Sequence, residues 1–409
     1  MRLTIDRLGH LGDGIATGPD GAVFVPQVLP GEEVEGDLSG DRLTDVRIVT
    51  PSADRVRPPC AHARTCGGCM LQHASDGFVA GWKQEIVKAA LAGQGLSAPF
   101  RPIMISPPRS RRRATLAGRK TKGGVLLGFH ARASEMIVAV PGCHLLHPDL
   151  IAAFPALEAL VRAGGSRTTE LAMTVTRSSV GPDIVVRGGK ELDANQRLDL
   201  ARIAESHAVA RLSWNGEVVA LRASPVQRFG GASVTPPPGA FLQATAEGEA
   251  ALLAAVTDAV KGADRIADLF AGCGTFTLPL AREAEVHAVE GEREMAATLE
   301  KGWRQGEGLK KVTVEARDLF RRPLEPDELK PFDAVVIDPP RAGAEAQAER
   351  LAASRVPVIA AVSCNPVTFA RDARLLVAAG YRIDWVQVVD QFRWSPHVEL
   401  AARFSRTAA

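Results

Sequence analysis

The chain has 409 residues, 46% of them hydrophobic and 23% charged, with a formal net charge of +2. That length is expected to divide into about two or three domains, and the composition excludes a chain too polar to build a core. No apolar run is long enough to cross a bilayer and Met1 to Arg7 opens no signal-peptide core, so a cytoplasmic protein with reduced thiols, no membrane and no disulfide framework is expected.

Residues 1–52 show short strand patterns broken by Gly and Asp turns: Arg2 to Ile5, Gly21 to Val25, Glu33 to Leu38 and Asp45 to Val49. Evenly spaced short strands of this sort predict a small closed barrel of the OB type. Pro51, Pro58 and Pro59 form its exit. The first fifty residues hold nine Asp and Glu against four Lys and Arg, which argues against the barrel as the main contact for a polyanion.

Residues 53–235 are mixed α+β. They contain three close cysteines, a helical stretch from Gly81 to Ala92, strands at Ala114–Leu116 and Gly124–Phe129, and an apolar helical run from Leu150 to Val161. From Ile86 to Ser134 there is no Asp or Glu, while Lys88, Arg101, Arg109, Arg111, Arg112, Arg113, Arg119, Lys120, Lys122 and Arg132 all fall there. A one-sign field on a folded segment is the footprint of a phosphate backbone. A solvated basic loop is the plainer reading. RNA is preferred, with Arg109 to Lys122 expected to carry more of the affinity than the barrel; charge reversal at Arg111 to Arg113 is expected to weaken binding and flatten its salt dependence.

Ser233 to Gly239, with Pro236, Pro237 and Pro238, marks a boundary. Residues 236–409 then alternate regularly. Strands are predicted at Arg265–Phe270, Glu285–Glu290, Lys311–Arg317, Phe332–Ile337, Pro357–Ser363, Tyr381–Val389 and His397–Phe404, with helices at Glu247–Val260 and Glu292–Gly302. This is the pattern of a doubly wound α/β sheet. The short link before the last strand predicts that it returns antiparallel, as in a Rossmann-like methyltransferase sheet.

The loop from Asp268 to Phe276 follows the first of these strands and contains Gly272 and Gly274. Glu290, 22 residues after Asp268, ends the second strand, where a carboxylate can take ribose hydroxyls. The loop lacks the glycine spacing that a pyrophosphate wants, which favours S-adenosylmethionine over a dinucleotide. Asp318, ending the third strand, is placed to meet the adenine edge.

Cys364 lies at the tip of the fifth strand, in Val362-Ser363-Cys364-Asn365-Pro366. Alone it is most simply a small buried hydrophobe. Asp338 closes the neighbouring strand before Pro339, Pro340 and Arg341, and Glu399 stands at the last strand. Singly, each acid is satisfied as a turn carboxylate or an ion pair, the partner for Glu399 being His397. A thiol and two acids at neighbouring strand ends have a chemical use. Carbon 5 of uracil is too weak a nucleophile to attack a sulfonium methyl; a thiolate adding at carbon 6 activates it, and a carboxylate can then remove the carbon-5 proton.

On these motifs the chain resembles the RNA 5-methyluridine methyltransferases that act on 23S ribosomal RNA and tRNA, over essentially its whole length. The resemblance implies that Gln243, Phe270, Thr275, Glu290, Asp318 and Asp338 contact S-adenosylmethionine, that Cys364 is the nucleophile and that Glu399 accepts the proton. It implies a TRAM domain at 1–52, an iron–sulfur and RNA-binding domain at 53–235 whose residues 80–100 pack with the catalytic domain, and the catalytic domain at 236–409. The family pattern is departed from at Ala271, Thr275 and Ala361, and in Phe392 to Pro396.

Cys60, Cys66, Cys69 and Cys143 could hold zinc or an iron–sulfur cube by spacing alone, with His62, His73, His144 and His147 nearby for a mixed zinc site. With the resemblance, a 4Fe-4S cluster is expected. The barrel and the cysteines favour 23S ribosomal RNA over tRNA as substrate, and a monomer is expected. An exocyclic amino-methyltransferase would want an aromatic where Arg341 stands, and would need no nucleophilic cysteine. A non-catalytic metal-dependent RNA-binding protein would not bind S-adenosylmethionine.

Overall fold

The structure, a computed structural model, describes residues 1–406. Its N-terminal strands are β1 (Arg2–Thr4), β2 (Arg7–Leu8), β3 (Gly14–Gly18), β4 (Gly21–Val25), β5 (Glu33–Ser39) and β6 (Arg42–Thr50), in the order β1-β5-β6-β4-β3-β2. Ladders are antiparallel except β4 with β6. Between β1 and β2, Ile5 N–H bonds Glu32 O and Asp6 N–H bonds Ile15 O. These two strands are therefore halves of one bent segment that reaches both β5 and β3. Inward side chains, among them Ile5, Val23, Val25, Val34 and Leu43, form a small separate core. Strand β3 left no sign in the sequence pattern, because Gly14-Ile15-Ala16-Thr17-Gly18 has too few large apolar residues to show an alternation.

After a cysteine-bearing loop comes α1 (Asp76–Ala92), then β7 (Met104–Ile105). The helix starts five residues before the predicted Gly81. Ser75 accepts the Phe78 N–H at 3.1 Å and satisfies the first turn, whereas Gly77 and Gly81 lower the sequence signal. Its buried side chains Val87 and Leu91 share a core with Val386 and Val388 of the last sheet described below. Each such burial contributes about 1.5–3 kcal/mol.

The middle of the chain forms a seven-stranded sheet. In chain order it is built from β8 (Arg113–Thr121), β9 (Gly124–His130), β10 (Ile137–Ala139), α2 (Pro148–Ala152), α3 (Phe154–Gly164), β11 (Leu171–Thr176), β12 (Asp183–Arg187), α4 (Ala194–Ser206), β13 (Arg211–Trp214) and β14 (Glu217–Leu221). Strand order is β10-β9-β8-β11-β12-β13-β14. Leu157, Leu160 and Val161 of α3 pack on Leu116, Met173 and Ile184. A hairpin, β15 (Gln227–Phe229) with β16 (Ala232–Val234), precedes the proline boundary.

The remainder is α5 (Ala246–Ala259), β17 (Arg265–Leu269), α6 (Thr277–Leu280), β18 (Glu285–Glu290), α7 (Arg293–Gln305), β19 (Val312–Ala316), α8 (Pro326–Leu329), β20 (Ala334–Ile337), α9 (Glu345–Ala353), β21 (Val358–Ser363), α10 (Pro366–Ala378), β22 (Arg382–Asp390) and β23 (Glu399–Ser405). They build an eight-stranded sheet, β19-β18-β17-β20-β21-β23-β22-β7. It is a mixed α/β sheet: β23 runs antiparallel to both β21 and β22, and the others pair in parallel. The edge strand β7 comes from far upstream and pairs Met104 with Val389. Among the described residues no helix is long and apolar enough to cross a membrane.

Candidate active site

The sheet order explains which side chains meet. Parallel strands β20 and β21 end at Asp338 and Cys364, while β23 begins at Glu399 against the end of β21, with Ser363 opposite Leu400. An antiparallel strand starts where its neighbour stops, so all three groups reach one edge. Their electrostatics agree. Burial, Glu399 and Asp338 together push the Cys364 thiol up to about 11, with Arg341 opposing. Burial and then Asp338 raise the Glu399 carboxyl, which is 3% exposed, and burial with Asp268 raises that of Asp338. All three shifts favour the uncharged forms, and a cationic ligand would favour ionisation.

Cys364 opens on a groove of about 950 Å³, lined also by Arg341, His397 and Val367, by Phe78 and Trp82 of α1, and by His10 and Leu11 from the N-terminal sheet. The turn after Cys364 is rigid. Asn365 caps α10 through the Val367 N–H at 3.1 Å and donates from Nδ2 to Arg341 O at 2.9 Å. Arg341 in turn lies 3.2 Å from His397 Nδ1.

The candidate cofactor residues line the neighbouring strand ends. Phe270 has φ +62° and packs at 5.4 Å on Phe320. A phenylalanine in the left-handed region is strained, and it lets the chain turn into the glycine loop. Gly274, at φ +96°, would place a Cβ 3.0 Å from Leu278 and Leu299. Glu290 is 7% exposed; its Oε2 accepts the Gly272 N–H at 2.8 Å and its Oε1 the Glu292 N–H at 2.8 Å. It therefore anchors the loop whatever else it binds. Asp318 is exposed and accepts the Phe320 N–H at 3.0 Å, and Thr275 is half-buried. Gln243 is 2% exposed and reaches the site from the segment before α5.

Asp268, which the sequence marked only as the start of the loop, is fully buried. Its Oδ2 accepts the Thr277 hydroxyl at 2.5 Å, its Oδ1 has no partner, and burial raises the carboxyl to about 7. Gln391 was also missed. It bridges Gln243 and Glu399, donating from Nε2 at 2.5 and 3.0 Å. The Asp390-Gln391 pair that closes an otherwise apolar strand end was the available signal.

The arginine triplet is not the exposed contact that its charge suggested. Arg112 is 9% exposed, pairs with Glu249, and donates from Nε to Gln243 O at 3.0 Å. Arg113 donates to Gly239 O at 3.0 Å and Arg111 to Arg113 O at 3.1 Å. Burial lowers the pKa of both Arg111 and Arg113. The side chains of Arg112 and Arg113 brace the segment carrying Gln243. Arg109 and Lys122 of the same stretch are exposed.

Cys60, Cys66, Cys69 and Cys143 are all free thiols, brought within electrostatic reach of one another. Backbone N–H groups of His62, Gly68 and Leu145 point at the sulfurs of Cys60, Cys66 and Cys143, each at 3.4 Å. Among the described residues no group of three or more His, Cys, Asp and Glu side chains is arranged to hold a metal ion. Next to Cys69, the Met70 and Leu71 N–H groups bond Trp394 O at 2.7 and 3.0 Å, in the loop that leads to Glu399.

A family model described as tRNA (uracil-5-)-methyltransferase matches residues 305–407. An uncharacterized RNA methyltransferase of Brucella suis is 45% identical over 403 residues, 98% of this chain and 97% of that protein. The 23S rRNA (uracil(1939)-C(5))-methyltransferase RlmD of Chromohalobacter salexigens is 34% identical over 422 residues, covering 97% of this chain and 87% of its own. Among solved structures, the Pyrococcus abyssi tRNA (uracil-54, C5)-methyltransferase in complex with S-adenosyl-L-homocysteine superposes with a TM-score of 0.76 over 99% of both chains. At 24% identity that likeness is one of fold.

Proposed function

This chain belongs to the S-adenosylmethionine-dependent RNA (uracil-5-)-methyltransferases, and from that premise we propose that it methylates carbon 5 of a specific uridine in 23S ribosomal RNA through a covalent bond to Cys364. The observation that supports this is the meeting of Cys364, Asp338 and Glu399 at three adjacent strand ends.

S-adenosylmethionine supplies the methyl group as a sulfonium. The site fits it: a glycine loop without pyrophosphate spacing, Glu290 at a strand end, Gln243 buried before α5, and buried carboxylates to face a cation. Gln243, Phe270, Thr275, Glu290, Asp318 and Asp338 would hold it. The Cys364 thiolate adds to carbon 6 of the uracil, and the displaced π electrons make carbon 5 nucleophilic. Carbon 5 takes the methyl group as the methyl carbon–sulfur bond breaks, with S-adenosylhomocysteine as the leaving group. Glu399 then removes the carbon-5 proton; that electron pair re-forms the double bond and expels the Cys364 thiolate. The base must leave any stack to enter, so an unpaired or flipped uridine is required.

Full-length identity to the ribosomal RNA enzyme favours 23S RNA; tRNA is the alternative, favoured by the description of the matching family model. The ladder order of β1 to β6, with one parallel pair and a bent first strand, supports an OB-type (TRAM) barrel at 1–52. Residues 53–235 would form the iron–sulfur and RNA-binding domain, with 80–100 packed on a catalytic domain at 236–409. Cys60, Cys66, Cys69 and Cys143 would bind a 4Fe-4S cluster, supported by the family resemblance and by four free thiols within electrostatic reach of one another, three of them with an N–H group aimed at sulfur. Iron and acid-labile sulfide after anaerobic purification test that; bound zinc without iron refutes it. The working form would be a cytoplasmic monomer.

With a 23S fragment and cofactor, Glu399→Gln should accumulate a protein–RNA adduct that survives denaturation, and Cys364→Ala should form none. Adduct formation by Cys364→Ala, or 5-methyluridine retained in 23S RNA of a deletion strain, sinks the corresponding half of the proposal.

A further inference from the structure

We propose that Gln391 is a positioning residue of this site, whose carboxamide holds Gln243 on the cofactor side and Glu399 on the base side in one fixed arrangement. The inference rests on the reading of Glu399 as the base.

Gln391 is 1% exposed, in the turn that follows β22. Its Oε1 accepts the Ala244 main-chain N–H at 2.8 Å. A main-chain N–H cannot become an acceptor, so this bond decides which way the amide faces. The amide nitrogen is thereby turned to the other side. Its two hydrogens go to Gln243 Oε1 at 2.5 Å and Glu399 Oε2 at 3.0 Å. A flipped amide would set its oxygen against two acceptors and leave a buried N–H facing an NH2 group, so only one orientation satisfies the set. Packing agrees: at Gly248 of α5, a Cβ would stand 2.6 Å from Gln391 Cβ and 3.0 Å from its Oε1.

Two consequences follow. The bond turns Gln243 Oε1 toward Gln391 and its NH2 group to the other side, so that side chain presents a donor to an acceptor on the cofactor. With Glu399 Oε2 held by Gln391, Oε1 is the oxygen turned free for the carbon-5 proton. The charged and titratable groups that bear on Glu399 are Asp338, Cys364 and Arg341. The Gln391 N–H favours the carboxylate against burial and Asp338. A neutral two-hydrogen donor is what this position needs, since a carboxylate there would repel Glu399.

Gln391→Met keeps the length and removes all three bonds. It should bind S-adenosylhomocysteine about tenfold more weakly by calorimetry, the equivalent of one buried hydrogen bond. It should also resolve the RNA adduct more slowly than it forms it, and the acid limb of resolution should move to higher pH. Loss of packing alone would not move that limb. Gly248→Ala, whose Cβ would press on Gln391 and on the Thr245 hydroxyl without removing a polar group, should shift both readouts the same way and covers the case in which Gln391→Met does not fold. Wild-type affinity for S-adenosylhomocysteine, or an unmoved acid limb, in the variant that folds overturns the proposal. If Glu399→Gln accumulates no adduct, the assignment of Glu399 fails instead, and the calorimetric arm still decides whether Gln391 holds Gln243.

Discussion

Replacing Lys83 by methionine should destabilise the catalytic sheet by about 3–5 kcal/mol, the usual cost of leaving one member of a buried ion pair alone. Lys83 is fully buried and Asp390 is 2% exposed. The Lys83 ammonium donates to Asp390 Oδ1 at 2.5 Å and to Phe392 O at 3.1 Å. Without it, Asp390 Oδ1 keeps the Phe392 N–H at 3.1 Å, too little for a buried carboxylate. Burial already lowers the Lys83 pKa against the pull of Asp390, so desolvation cancels much of the pair's own attraction. The double variant Lys83→Met with Asp390→Leu should accordingly recover most of the loss. At about 2–4 °C per kcal/mol in a domain of this size, the single variant should melt about 6–20 °C lower. Scanning calorimetry with and without S-adenosylhomocysteine identifies the transition that contains the cofactor site. A single variant melting within about 2 °C of wild type, or a double variant no better than the single, refutes the reasoning. The pair also flanks Gln391, so turnover should fall in the single variant even below its melting range.

Arg112→Ala should lose S-adenosylhomocysteine affinity in a calorimeter, because Arg112 braces Gln243, while the salt dependence of RNA binding stays unchanged. Reversing exposed Arg109 and Lys122 should instead lower that slope by about one for each phosphate no longer neutralised; the opposite pattern would restore the triplet as the RNA contact. Alkylation of Cys364 should speed up about tenfold per pH unit through the neutral and mildly alkaline range, since only thiolate reacts and the fold holds the thiol up to about 11. A plateau near about pH 8.5, the value of a free thiol, would contradict it. Burial holds the Asp268 carboxyl up to about 7, above its unfolded value of about 3.9. Its contribution to stability is intact below the unfolded value and is lost as pH rises through the folded one. Asp268→Asn should therefore gain in melting temperature on wild type as pH rises over that interval, and parallel curves would show that the carboxyl titrates normally.

The regular alternation after Gly239 was readable because strand and helix periodicities and glycine loops are local signals. Predicted strand limits there fall within two residues of those observed, and the antiparallel return of β23 followed from a short link. The middle of the chain was harder. From β11 to β16 the strands are short and interrupted by Gly and Asn turns, so their pairing rests on neighbours distant in sequence. The charge of the 86–134 stretch was read correctly as a composition, but at Arg112 it does not lie on the surface. Sequence counts guanidinium groups; only packing shows that Arg112 ends beside Glu249, 137 residues away.

The sequence by itself determined that Asp338, Cys364 and Glu399 sit at strand ends beside a glycine loop, because each position follows from a run of a few residues. Only the tertiary structure decided what surrounds them. Gln391 meets Gln243 across 148 residues and Lys83 meets Asp390 across 307, and α1 and β7 join a sheet whose other strands begin at Arg265. Such contacts are chosen by which buried polar groups can satisfy each other once the layers close, and no local pattern records that choice.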